Sequence, residues 1–228
     1  ALLLVLVIFC CTTSAAFAAA KSERSKQVVA RVAAVKPDGV LTLSSMGDVV
    51  LADIIYPNRE AAQNWLAEHA LQKEFAFRVI GEDRYGRTRV ISSLQPDMLN
   101  DGAAVYVAAD SAIENSWKNA EARARKEQIG VWRDPERQLL IAASQAQQYL
   151  GEFHVIEGVV TRVYESKKAT YINFGEDWHS DFSITVLAKH RRSMKGLLDG
   201  LKAGNRIRVR GVVFEENGPM IHLQHADN

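Results

Sequence analysis

Between residues 27 and 94, apolar and polar positions alternate in short runs of the kind that makes half-buried strands. The runs 28–35, 40–43 and 49–55 are separated by Pro37-Asp38-Gly39 and Met46-Gly47-Asp48, both turn signals. Residues 59–73 change period: Ala62, Trp65, Leu66 and Ala70 fall on one side of a helix. Two further apolar runs, 75–80 and 88–94, flank Asp83-Arg84-Tyr85-Gly86-Arg87, which reads as a tight hairpin turn. Three strands, a helix and two strands is the order of a five-stranded Greek-key barrel of the OB type.

A helical stretch follows. Residues 98–107 predict a short helix. A firmer one starts with a capping box, Ser111 and Glu114, carries Ile113, Trp117, Ala120 and Ala124 as its stripe, and stops at Gly130. Asp134-Pro135-Glu136 opens another helix, through Leu139, Leu140, Ala143 and Ala146 to Tyr149, read as the connector at 135–151. From Glu152 the strand signals return at 153–164, 169–174 and 182–187. A helix with Met194, Leu197, Leu198 and Leu201 comes next, then strands at 206–214 and 220–223. The expected fold is therefore mainly β with helices (α+β): two five-stranded OB-type barrels, at 21–134 and 152–228, the first followed by its own helices.

Residues 1–20 stand outside this pattern. An unbroken apolar run leads to Thr12-Thr13-Ser14 and then small residues, with A-x-A sites at Ala16-Phe17-Ala18 and Ala18-Ala19-Ala20. This is the pattern of a signal peptide cleaved near Ala18–Ala20, whose initiating Met and basic start would precede residue 1. The expectation is export, to a bacterial periplasm or the medium. A membrane anchor or a lipid-modified Cys10 or Cys11 is the alternative. The run falls short of the roughly 20 residues that span a bilayer, and Phe9 before Cys10 suits lipid processing poorly. Both cysteines lie in this segment, so the mature chain would hold no disulfide framework, thiol nucleophile or cysteine metal site.

The remaining composition changes the picture little. Charged residues are 24% and apolar ones 47%, and the formal net charge is +1, which excludes a global electrostatic pull toward nucleic acid. Basic surface has to be local. Arg206, Arg208 and Arg210 alternate with Ile207 and Val209 and so share one strand face, near Lys189, Arg191, Arg192 and Lys195. Together they would form a track for phosphates, or else a solvated face that discourages edge pairing. Tyr171 and Trp178 are candidate stacking surfaces or core aromatics. The acidic loop 176–181 with His179 is a candidate cation site or a solvated turn. His222 and His225, three apart on a strand end, face opposite ways and make no ligand pair.

The turn at Asp83 to Arg87, the run 120–132 (AEARARKEQIGVW), Pro37-Asp38-Gly39 and Leu51-Ala52 with Pro57 occur in an order that resembles the staphylococcal nuclease (thermonuclease) family over residues 27–135. Tyr171 to Gly175 and Arg208 to Gly211 resemble the OB-like domain appended in some bacterial members. The resemblance implies calcium-dependent hydrolysis of nucleic-acid phosphodiesters. Arg87 matches a phosphate-gripping arginine and Tyr85 a tyrosine beside the nucleotide, with Arg84 next to them. Other positions depart from the family. Val40 and Ile55 stand where metal carboxylates belong, Val50 where a second arginine does, and Asn58 where the general-base Glu does. Asp38, Asp53 and Glu60 lie within two residues of the missing groups.

The leading expectation is an exported nuclease-like protein with a degraded active site. It would bind nucleic acid or another anionic polymer through Arg84, Tyr85, Arg87, Arg206, Arg208 and Arg210, with no cofactor and no metal. The alternatives are a working phosphodiesterase, which would need Ca2+, and an envelope protein-interaction module.

Overall fold

A computed structural model describes residues 27–109, 113–134, 138–177 and 179–228. The leader at 1–20, the polar segment to Lys26, Ser111 of the predicted capping box, Pro135-Glu136 of the predicted connector and Trp178 lie outside them.

Strands β1 (Gln27–Val35), β2 (Leu41–Leu43) and β3 (Gly47–Leu51) form a meander, followed by the short β4 (Ile54–Ile55) and helix α1 (Arg59–His69). Then come β5 (Glu74–Glu82), β6 (Thr88–Ile91), α2 (Leu94–Asn100), β7 (Val105–Tyr106) and α3 (Asn115–Lys126). The five longer strands close into a barrel in the order β1-β2-β3-β6-β5, with β3 and β6 parallel. Period-two alternation sends Ala30, Val32, Leu41, Leu43, Val49, Leu51, Phe77 and Val90 inward, all buried. The first barrel is as its sequence pattern predicts.

The differences are local. The expected strand 49–55 breaks at Asp53, which takes φ +57, and the two residues beyond it leave the barrel to pair with β7. Asp is among the few residues that tolerate this left-handed geometry. The helix predicted at 98–107 lies earlier, because buried Gln95 anchors α2 through Val90 O and the Ser92 amide. Helix α3 buries Trp117 and Ala124 as expected, together with Glu121. It ends at Lys126, earlier than the expected stop, with Gln128 at φ +54. Gly130 (φ +57) instead opens a 3-10 turn where backbone meets backbone: Val131 N donates to Gly102 O at 2.9 Å, and a Cβ on Gly130 would stand 2.2 Å from that oxygen.

The connecting helix is corrected. Leu140–Ala142 is strand β8, parallel to β9 (Phe153–Val159), and Ala143–Tyr149 follows as a 3-10 helix. Leu139 and Ile141 are buried while Leu140 is half-exposed, a period of two rather than 3.6.

Beyond β9 come β10 (Arg162–Glu165), β11 (Ala169–Asn173), β12 (Ser183–Leu187), α4 (Lys195–Gly200), β13 (Arg206–Val212), β14 (Phe214–Glu215) and β15 (Pro219–His222). They pair as a five-stranded sheet, β10-β11-β12-β15-β14, and a three-stranded one, β13-β9-β8. Buried Val160 lies between β9 and β10, and buried Val213 between β13 and β14, so the chain passes from one sheet to the other at two inward-facing valines. The two halves meet in one apolar cluster, where Val105, Ala124, Val131 and Trp132 pack with Leu139 and Val155.

Candidate functional site

The hairpin joining β5 to β6 is built by one carboxylate. Asp83 Oδ1 accepts from the amides of Tyr85 and Arg87, both at 2.9 Å, and Oδ2 accepts from Arg87 Nε at 2.7 Å. Gly86 takes φ +74, and its amide donates to Asp83 O. Desolvation works to raise the Asp83 carboxyl. The Arg87 amide, the Arg87 guanidinium and the Tyr85 amide outweigh it and hold the group below the usual carboxylate range.

The guanidinium of Arg87 is thus fixed by its Nε edge, with its side chain 38% exposed and Nη1 3.5 Å from Asp38 Oδ2. Tyr85 is 67% exposed, and the guanidinium carbons of Arg84 and Arg87 stand 4.8 and 5.3 Å from its ring centre. These groups border a cleft of about 600 Å³ that Asp38, Asp53, Tyr56 and Arg89 also line. Sequence reasoning missed one pair there: buried Asp53 accepts from Arg89 Nη2 at 3.1 Å. The strained φ of Asp53 aims this carboxylate.

A calcium cradle was the resemblance's further implication, and the residues present do not fit one. Val40 is buried, and Ile55 is half-buried in β4. Asn58 is spent on α1, where its Oδ1 accepts from the Ala61 amide at 3.1 Å as the helix N-cap. Of the neighbouring carboxylates, Asp38 and Asp53 reach the cleft but bond different arginines, while Glu60 is exposed on α1. Tyr56 packs over Gly39 so closely that a Cβ there would lie 2.4 Å from its ring. Among the described residues, no three His, Cys, Asp or Glu side chains group so as to hold a metal ion. Loop 176–181 turns its acids onto itself: Asp177 accepts from the His179 amide and the Ser180 hydroxyl, and Asp181 accepts from the Asp177 amide.

The basic strand needs correction. Arg206 and Arg208 do share a face, but Glu157, opposite Arg208 on β9, bonds both, at 3.1 and 2.5 Å. Arg210 is 5% exposed and unavailable to any polymer. Its Nη1 and Nη2 each meet a Glu121 oxygen at 2.8 Å, Nη1 also donates to Tyr106 O at 2.9 Å, and its guanidinium lies 3.5 Å over the Tyr106 ring. One sequence signal pointed there: Glu121 sits at helical spacing between Trp117 and Ala124, on a face that had to be buried. Of the nearby cations, Arg191 bonds Ser166 O, Thr170 Oγ1 and Glu165, and Lys195 pairs with Asp199. His222 lies near Glu216 and His225 near Asp227, apart from one another.

Residues 52–134 match the family model described as Staphylococcal nuclease homologue. No curated protein matches the chain.

Proposed function

We propose that this chain, which carries a staphylococcal nuclease homologue domain at residues 52–134, is an exported protein that binds single-stranded nucleic acid without cutting it. Arg87 grips one phosphate and Tyr85 stacks on the adjoining base. The observation that carries the reading is the guanidinium locked by Asp83 beside an exposed tyrosine, in a cleft where Asp38 and Asp53 are engaged by arginines. A planar guanidinium with one edge fixed presents its remaining N–H groups as a ready fork for phosphate. Asn58, at the position where the family resemblance expects a general-base Glu, has no carboxylate to activate water and is committed to capping, while Asp38 and Asp53 are held by arginines. Among the described residues no helix is long and apolar enough to cross a membrane.

The cleft lining carries Arg84, Arg87 and Arg89 against Asp38, Asp53, Glu82 and Asp83, so general attraction to a polyanion is absent. Binding then rests on about one phosphate contact, and log affinity should fall against log salt with a slope of about −0.7. The test is titration of a fluorescent oligothymidylate at several salt concentrations, with and without calcium, followed by electrophoresis of the same samples. A shallow slope, loss of binding in Arg87→Ala and intact oligonucleotide are expected. Cleavage that needs calcium and disappears in Arg87→Ala would establish the phosphodiesterase instead. Absence of both binding and cleavage would leave an interaction module.

A further inference from the structure

The second half of the molecule carries a groove that the nuclease-type cleft does not touch. On β10 and β11, Val163 and Ile172 point inward to the core, so the alternate positions Arg162, Tyr164, Tyr171 and Asn173 stand on the outer face. Tyr164 and Tyr171 are directly opposite in the register, their rings 6.4 Å apart between centres and inclined by 22°. Tyr164 is 49% exposed, and the Arg162 guanidinium lies 5.5 Å from its ring centre. Ser183 and Met220 extend the face, and Glu216 and Asn217 of the β14–β15 turn wall it, enclosing about 530 Å³. That volume is the size of a small-ligand site.

We infer that this groove binds a neutral oligosaccharide, with pyranose rings laid on Tyr164 and Tyr171 and hydroxyls held by Asn173, Asn217, Arg162 and Glu216. Two aromatic faces side by side give a flat apolar bed. Around it stand groups that both donate and accept: two side-chain amides, a guanidinium, a carboxylate and the tyrosine hydroxyls. Sugar hydroxyls require both roles, whereas phosphate requires donors only. Asn173 Oδ1 accepts from the Ser183 hydroxyl at 3.3 Å, which fixes the amide with its N–H groups free for a ligand. The charges decide against a polyanion, because the lining holds one cation and one anion, Arg162 and Glu216. An extended peptide adding as a strand would pair along the edge of β10, whereas the Tyr164 and Tyr171 rings stand on the face of the sheet, so strand addition would not use them.

The test uses the full chain and four probes: chitotriose, cellotriose, maltotriose and oligothymidylate, titrated by calorimetry. At least one trisaccharide should bind, with an affinity unchanged between low and high salt. Tyr164→Ala and Tyr171→Ala should each weaken it by about tenfold or more, while Tyr164→Phe keeps the ring and most of the affinity. Tyr164→Ala removes an exposed side chain, so an unchanged thermal midpoint separates lost binding from lost folding. Arg87→Ala should leave saccharide binding untouched. The inference is overturned if no trisaccharide binds at millimolar concentration, if binding ignores both tyrosine changes, or if only oligothymidylate responds to them.

Discussion

Replacing Arg210 with Met tests whether the two halves are fastened by a buried charge pair. The guanidinium makes two 2.8 Å bonds to Glu121, a 2.9 Å bond to Tyr106 O and a 3.5 Å stack on the Tyr106 ring, with the Arg210 and Glu121 side chains 5% and 1% exposed. In Arg210→Met, Glu121 keeps only the Tyr106 amide at 3.0 Å and Arg125 at 3.4 Å. Removing one partner of a buried pair costs about 3–5 kcal/mol, and with Arg125 left as a more distant cation the loss should lie toward the lower end, still a large part of the 5–15 kcal/mol that holds a typical domain. Part of that penalty is the stranded carboxylate, so Arg210→Met with Glu121→Leu should recover most of the loss. Arg210→Lys, with charge but no fork, should fall between. Urea unfolding followed by circular dichroism of the unchanged chain, Arg210→Met, Glu121→Leu and the double variant supplies the four corners of the cycle, and a second transition in Arg210→Met would mean that the halves had come apart. A loss below about 1 kcal/mol, or a double variant no better than the single, would refute the argument.

Other consequences are local. Tyr56 has its hydroxyl buried without a hydrogen-bond partner among the described residues, and burial together with the nearby Asp38 charge pushes its pKa well up. Tyr56→Phe should therefore stabilise the protein by about 1 kcal/mol in thermal unfolding. Gly39→Ala, at φ +76 and against that ring, should destabilise it by about 1–3 kcal/mol. Asn228 exchanges bonds of 2.8 and 2.7 Å with the Ala108 backbone, so Asn228→Ala should cost about 1–3 kcal/mol in urea unfolding. Asp83 titrates below its unfolded value, so its support of the turn is complete above about pH 4 and fades only as pH falls through the lower folded value. A carboxyl-carbon NMR titration showing a midpoint above 4 would contradict this.

How much of this was legible depends on which contacts a sequence pattern encodes. Period-two alternation and the Asp83 turn are local, and the first barrel and its hairpin follow from them. The expected absence of the family's site groups at Val40, Val50, Ile55 and Asn58 likewise rested on positions alone, as a reading of the resemblance. The connector failed because Leu139, Ile141 and Ala143 fit a period of two as well as Leu139, Leu140, Ala143 and Ala146 fit one of 3.6, and pairing with β9 decided between them. At the basic strand the expectation failed at Arg210, for a different reason. Alternation placed Arg206, Arg208 and Arg210 on one face correctly, but their freedom depended on Glu157 across the ladder and Glu121 on a helix 89 residues away in sequence. An arginine count along a strand measures supply, and availability is set by the acids that folding brings opposite. The same process acted at the cleft, where Asp38 and Asp53, the nearest stand-ins for metal ligands, turned to Arg87 and Arg89. Where cations and carboxylates pair inside the protein, the general pull on an ion or a polyanion weakens, and a single fork such as that of Arg87 counts for more. The recognition proposed for this chain therefore leans on stacking beside a guanidinium, Tyr85 with Arg87 in one half and Tyr164 and Tyr171 with Arg162 in the other.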